Sequence, residues 1–198
     1  RKTKRKDILC RSRGTSGICF SITRHIGTCR FDRDHHRCGS GSSFTVLVLD
    51  KRGAKKVVIS FFQYFGNRID HPYATDVRKA NAIILVNRVN TLLCEYEQAT
   101  DTRVEVDKDT GTQISGSRGG SGDGGFRLAQ SRTGVKGSSH KQGMGVDVYD
   151  AGDRIDTWID RNPGVLDRIN LYRESPGFTP GWCHLQTRPT SKRTYRPY

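Results

Sequence analysis

With 198 residues the chain has room for one ordinary domain plus an extension, and a hydrophobic fraction of 33% beside 22 glycines favours a loop-rich domain over a long-helix bundle. A formal charge of +14 suits anionic partners such as nucleic acid, anionic wall polymers or an acidic protein, without choosing among them. No run of about 18 apolar residues exists, which excludes a helical membrane span, and the basic residues 1–6 lack the apolar stretch that an intact secretory leader needs.

Residues 1–43 are rich in Arg, Gly, Ser and Asp, show no hydrophobic period, and end in a Gly/Ser linker at 39–43. Cys10, Cys19, Cys29 and Cys38 fall nine or ten residues apart, without the Cys-x2-Cys pairs of a zinc ribbon. Together with His25, His35 and His36 they leave a metal knot or disulfides open. The preferred reading is a basic arm that orders against a partner. Residues 44–49 and 56–62 read as strands around a hairpin at 50–53. In this division 44–56 is a hairpin or connector and 57–198 is the main domain.

Ala82, Leu85, Val86, Val89, Leu92, Leu93 and Tyr96 recur at three- and four-residue steps, which predicts a helix from 76 to about 98 with Thr75 or Asp76 as its cap. Its apolar stripe must pack against a sheet. Residues 102–106 and 112–115 read as short strands across a turn at 109–111. The Gly-rich stretch 116–125 lacks the lysine and the strand–loop–helix setting of a phosphate cradle, and reads as a loop draped over a substrate. Arg127 closes that loop, where a guanidinium can clamp a carboxylate through two parallel hydrogen bonds.

Residues 137–150 place His140 before a strand that carries Asp147 between Val146 and Val148, with Gly143 and Gly145 allowing the chain to bend between them. Residues 155–169 read as a helix broken at 162–164, with Asp153 and Asp156 in its first turn, where the helix dipole favours them. Residues 182–185 form the last predicted strand, and its alternation turns Cys183 away from the face of His184. Arg188, Lys192, Arg193 and Arg196 interleave with Tyr195 and Tyr198. Such a mixture suits nucleic acid, but a solvated tail or a docking strap is the preferred reading. His140, Asp147 and His184 are all competent zinc ligands, and a catalytic zinc takes three protein ligands plus water.

The spacing Ser138-x-His140, then Asp147 after six residues, then Trp182-x-His184 resembles the zinc D-alanyl-D-alanine carboxypeptidase family, which includes D-Ala-D-Ala dipeptidases and phage peptidoglycan endopeptidases. Gly124, Gly125, Phe126 and Arg127 resemble its Ser-Gly-Tyr-Arg element, and the likeness is strongest to phage-encoded members over about residues 57–198. The resemblance implies Zn2+ held by His140, Asp147 and His184, with Arg127 binding substrate and Ser138 and Trp182 beside it. It implies peptidoglycan stem peptides as substrate, in a phage lysis enzyme or a virion-associated wall-degrading protein. The protein would then act in the virion or in the host cytoplasm before lysis, with the basic arm available to other virion proteins. Many members carry a general-base carboxylate three residues before the second His, where this chain has Gly181. Glu174 is the nearest upstream carboxylate, and a loop through Pro176, Gly177 and Pro180 can fold it back towards His184. The alternative is a catalytically inactive structural virion protein that keeps the peptidase fold. The expected architecture is α+β, a small, mainly antiparallel sheet with packed helices.

Overall fold

The computed structural model describes residues 20–21, 47–48, 58–116 and 123–197. The chain divides into two units, residues 1–55 and 56–198. In the first, β1 (Phe20–Ser21) pairs antiparallel with β2 (Leu47–Val48). The strand expected at 44–49 is therefore present in part, and it pairs with β1 upstream. The four early cysteines, their histidines, the turn at 50–53 and the centre of the Gly-rich loop at 117–122 lie outside the described residues.

The second unit opens on a correction. Residues 58–62 are not a strand: α1 (Phe61–Phe65) begins there. The cause is a capping box at Ser60, whose Oγ accepts from Gln63 N while Gln63 Oε1 accepts from Ser60 N. Two otherwise unpaired amides are thereby satisfied, and this local geometry outweighs the β propensity of Val58, Ile59 and Phe61. Asn90 then pins the preceding backbone, exchanging two 2.8 Å hydrogen bonds with Ile59 N and O.

Asn90 belongs to α2 (Asp76–Thr100), the long scaffold helix, whose seven periodic apolar residues are all buried. Thr75 occupies its N-cap position without a side-chain cap bond. Beyond α2, residues 102–106 do not form a strand. Val104 N donates to the Glu97 carboxylate of the helix end instead of to a ladder partner. Among the described residues of the region after it, the bridges Asp107–Thr112 and Ile114–Val148 are the extended pairings.

Four strands form the sheet, in the order β3 (Gly145–Tyr149), β5 (Trp182–Gln186), β4 (Tyr172–Glu174), β6 (Thr194–Tyr195). The first three run antiparallel to their neighbours, and β6 runs parallel to β4. The helix expected at 155–169 is two helices, α3 (Arg154–Arg161) and α4 (Val165–Ile169), divided at the Pro163–Gly164 break. Asp153 stands at the N-cap position of α3 with no cap bond. Asp150 does the capping, its carboxylate accepting from the amides of Arg154, Ile155 and Asp156. The tail also differs from expectation: β6 makes it part of the sheet, because Arg173 N and Ser175 N donate to Arg193 O and Tyr195 O. Among the described residues no helix is long and apolar enough to cross a membrane.

Candidate metal centre

The sheet register decides which side chains meet. Asp147 on β3 lies directly opposite His184 on β5, and directly opposed residues of an antiparallel pair share a face. Tyr172 opposes Gln186 and Arg173 opposes Leu185 on the other side of β5. Extending that register by one residue brings Glu174 alongside His184, on the same face.

His140 comes from outside the sheet. It sits on a 3-10 turn, η2 (Ser139–Gln142), which α2 holds in place: Arg78 Nε donates to Lys141 O and Asn81 Nδ2 to Gln142 O, both at 3.0 Å. The turn ends at Gly143, whose φ is +72° and where a Cβ would approach Arg78 O to 2.3 Å. Only glycine meets both demands, so the glycine after the turn lets η2 press against the helix and aim His140 at the sheet.

His140, Asp147 and His184 are each buried, and one ligand atom from each lies within 4.8 Å of the other two. His140 Nε2 is 3.2 Å from His184 Nδ1 and 3.3 Å from Asp147 Oδ1, and His184 Nδ1 is 2.6 Å from Asp147 Oδ1. The remaining polar atoms are occupied elsewhere. His140 Nδ1 is 2.8 Å from Gly125 O, a carbonyl that can only accept, so Nδ1 carries the proton and Nε2 presents its lone pair to the cluster. Arg127 Nη2 donates to Asp147 Oδ2 at 2.8 Å, leaving Oδ1 turned to the two rings. Such outer partners orient metal ligands. The group could hold a metal ion.

The electrostatics favour that use for His140 and Asp147 and oppose it for His184. Burial pushes the His140 imidazole down, and the attraction of Asp147 does not reverse this; a neutral ring is the form that binds a metal. Burial also pushes Asp147 up, but His140 and His184 outweigh it and hold the carboxyl well below its ordinary value. For His184 burial acts downwards, while Asp147 and Glu174 raise it overall. Glu174 is half-buried, and burial raises its carboxyl despite the opposing pull of His184.

A cavity of about 560 Å³ opens on this face. It brings together every site residue expected from the sequence: Arg127, Ser138, His140, Asp147, Glu174, Trp182 and His184 all line it. Arg127 is buried and engaged with Asp147, so its guanidinium faces a metal ligand as well as the cavity. Gly181 has φ +90° and open space around its Cα. A carboxylate-bearing residue there would be strained, and its carbonyl accepts from Asp150 N.

Among the other lining residues, Gln186, Arg188 and Tyr195 were not expected at the site from the sequence. Gln186 was accessible from it, since it stands two residues after His184 and so shares its face. Tyr195 carried no such signal, because it reaches the site only through the parallel pairing of β6 with β4. Comparison with protein-family models, with curated proteins and with solved structures finds no match to this chain.

Proposed function

We propose that the protein is a zinc-dependent peptidase of the D-alanyl-D-alanine carboxypeptidase type, acting on peptidoglycan stem peptides as a phage-encoded lysis or virion-associated enzyme. The observation that carries the proposal is the convergence of three ligand atoms, from His140, Asp147 and His184, on one side of a 560 Å³ cavity. The donor set supports zinc: two imidazole nitrogens and one carboxylate oxygen leave a fourth position open, as catalytic zinc sites do. Zinc bonds of about 2.0–2.1 Å set tetrahedral ligand atoms about 3.3 Å apart; the 3.2 and 3.3 Å separations from His140 Nε2 match this, while the 2.6 Å between His184 Nδ1 and Asp147 Oδ1 would have to widen around an ion.

When bound, the ion supplies an acidified water and polarises a scissile carbonyl. The chain's own residues supply the rest. Asp147 Oδ1 and the two imidazoles would hold the ion, and Arg127 keeps Asp147 in its orientation at the cavity wall, where its guanidinium meets a substrate carbonyl or carboxylate. Glu174, beside His184 with a carboxyl raised above its ordinary value, takes the proton from the attacking water at its carboxylate and returns it to the leaving amine. Ser138 and Trp182 flank the substrate. The fold that goes with this reading is the carboxypeptidase-like α+β fold, and the protein's place is the virion or the host cytoplasm before lysis.

A second reading is favoured by one observation, the glycine at 181: a structural virion protein that retains the peptidase fold without hydrolysis. Metal content by plasma mass spectrometry and dye release from labelled peptidoglycan separate the two. One zinc per chain, lost in His140→Ala together with dye release, supports the enzyme. Zinc without release supports the structural protein with a retained site, and no zinc after reconstitution removes the enzyme and leaves only a resemblance of fold. Glu174→Gln should retain zinc and lower turnover by about 10²–10⁴-fold; unchanged turnover would remove Glu174 as the base.

A further inference from the structure

His140 and His184 face the cluster with different ring nitrogens, Nε2 and Nδ1. His184 Nδ1 lies 2.6 Å from Asp147 Oδ1, so without an ion it carries a proton towards that carboxylate; ligation displaces this proton and requires the neutral ring to keep its proton on Nε2. Something must make that tautomer the favoured one. For His140 the answer is Gly125 O. For His184 the partner of Nε2 is Gln186 Oε1 at 3.3 Å, with Ser139 Oγ at 3.4 Å beside it. A glutamine amide can present either end, so Gln186 settles nothing unless its own orientation is fixed.

Two bonds fix it. Gln186 Nε2 donates to Arg188 O at 2.8 Å, and that carbonyl can only accept. Turning the amide over would set oxygen against oxygen at this point, in a side chain that is 4% exposed. Tyr195 on β6 donates its hydroxyl to Gln186 Oε1 at 2.9 Å, which holds the same end from the other side. The order of control runs from a backbone carbonyl to an amide, from the amide to the Nε2 proton of an imidazole, and so to which proton that ring keeps when Nδ1 takes an ion.

We infer that Gln186, fixed by Arg188 O and Tyr195 of the C-terminal segment, holds the Nε2 proton of His184 when Nδ1 ligates and is a positioning residue of the metal centre. The inference rests on the metal-binding reading of the cluster, and it gives the segment after β5 a role in ligation as well as in lining the cavity. It also accounts for the parallel strand β6, whose pairing with β4 is what delivers Tyr195 to Gln186.

The test uses the full chain and Zn2+ in competition with a chelator, for wild type, Gln186→Leu, Gln186→Glu and Tyr195→Phe. Gln186→Leu removes the acceptor and should weaken zinc binding by about 10- to 100-fold, the usual effect of losing an outer partner of a ligand. Gln186→Glu keeps an oxygen facing Nε2 but sets its other oxygen against Arg188 O, and should restore only part of that loss; Tyr195→Phe should lose less than Gln186→Leu. In zinc-loaded wild type, ¹⁵N spectra should show His184 protonated at Nε2, with Nδ1 bearing the metal signature. That readout needs no variant to fold. His184 protonated at Nδ1, or equal zinc affinity and equal ring signals in wild type and Gln186→Leu, overturns the inference and leaves the metal centre standing. Failure of wild type to bind zinc overturns both.

Discussion

Two buried charge clusters lie back to back on the strands β4 and β5, and they use charge in opposite ways. On one face are Glu174, His184 and Gln186, looking into the cavity with Asp147 from β3. On the other are Arg173, Cys183 and Leu185, looking towards α3. Arg173 is 3% exposed and spends its guanidinium on this second face: Nη1 donates to the Asp156 carbonyl and carboxylate, and Nη2 to Asp160 and Thr194. That face is closed by its own pairings, tying α3 to β4 and β6. The metal face is different in kind. Its outward atoms are satisfied by Gly125 O, Arg127 and Gln186, while its inward atoms point at one another and at open volume. Buried charge paired across elements holds them together; buried ligand atoms that converge at a cavity wall suit an ion.

The contrast is tested most severely at the metal face. Asp147→Asn should abolish zinc binding, read by plasma mass spectrometry, because the amide carries no charge to offset the ion and leaves Arg127 buried beside a neutral group. Arg173→Met should do the reverse. Removing one partner of a buried pair costs about 3–5 kcal/mol, so denaturant unfolding should show a loss of that size while the folded fraction still takes up one zinc per chain. Loss of zinc from a folded Arg173→Met protein would mean that the two faces are not independent.

The alternation that separates the faces was legible in the sequence, and so was most of the metal face. Ligand types and spacing named His140, Asp147 and His184, and the three- and four-residue period named the buried stripe of α2. The second face was only half legible. Asp156 falls in the first turn of α3, where the dipole alone accounts for an acid, so nothing pointed to Arg173 as its partner across seventeen residues. What failed elsewhere failed for local reasons. Ser60 and Gln63 close a capping box that turns an apparent strand into α1, and Glu97 captures the amide of Val104 before it can join a ladder. The tail was misread because its pairing is parallel and non-local, and composition carries no trace of such a contact.

The closed face also has a pH dependence of its own. Burial pushes the Asp156 carboxyl up to about 6 from 3.8, even though Arg173, and to a smaller degree the Cys183 thiol, pull it down; its Oδ2 has no hydrogen-bond partner. A carboxyl whose value is raised on folding binds its proton more tightly in the native state than in the unfolded one. Its contribution to stability is therefore fully present below about pH 4 and is lost as the pH rises through about 6. A shift of about two units corresponds to roughly 3 kcal/mol. Asp156→Asn keeps a neutral amide at every pH and should flatten the stability profile between pH 4 and 6, measured by urea unfolding at closely spaced pH values. A wild-type profile already flat across that window would mean that Arg173 holds Asp156 ionised throughout, and the closed face would then be an ordinary ion pair with no titrating member.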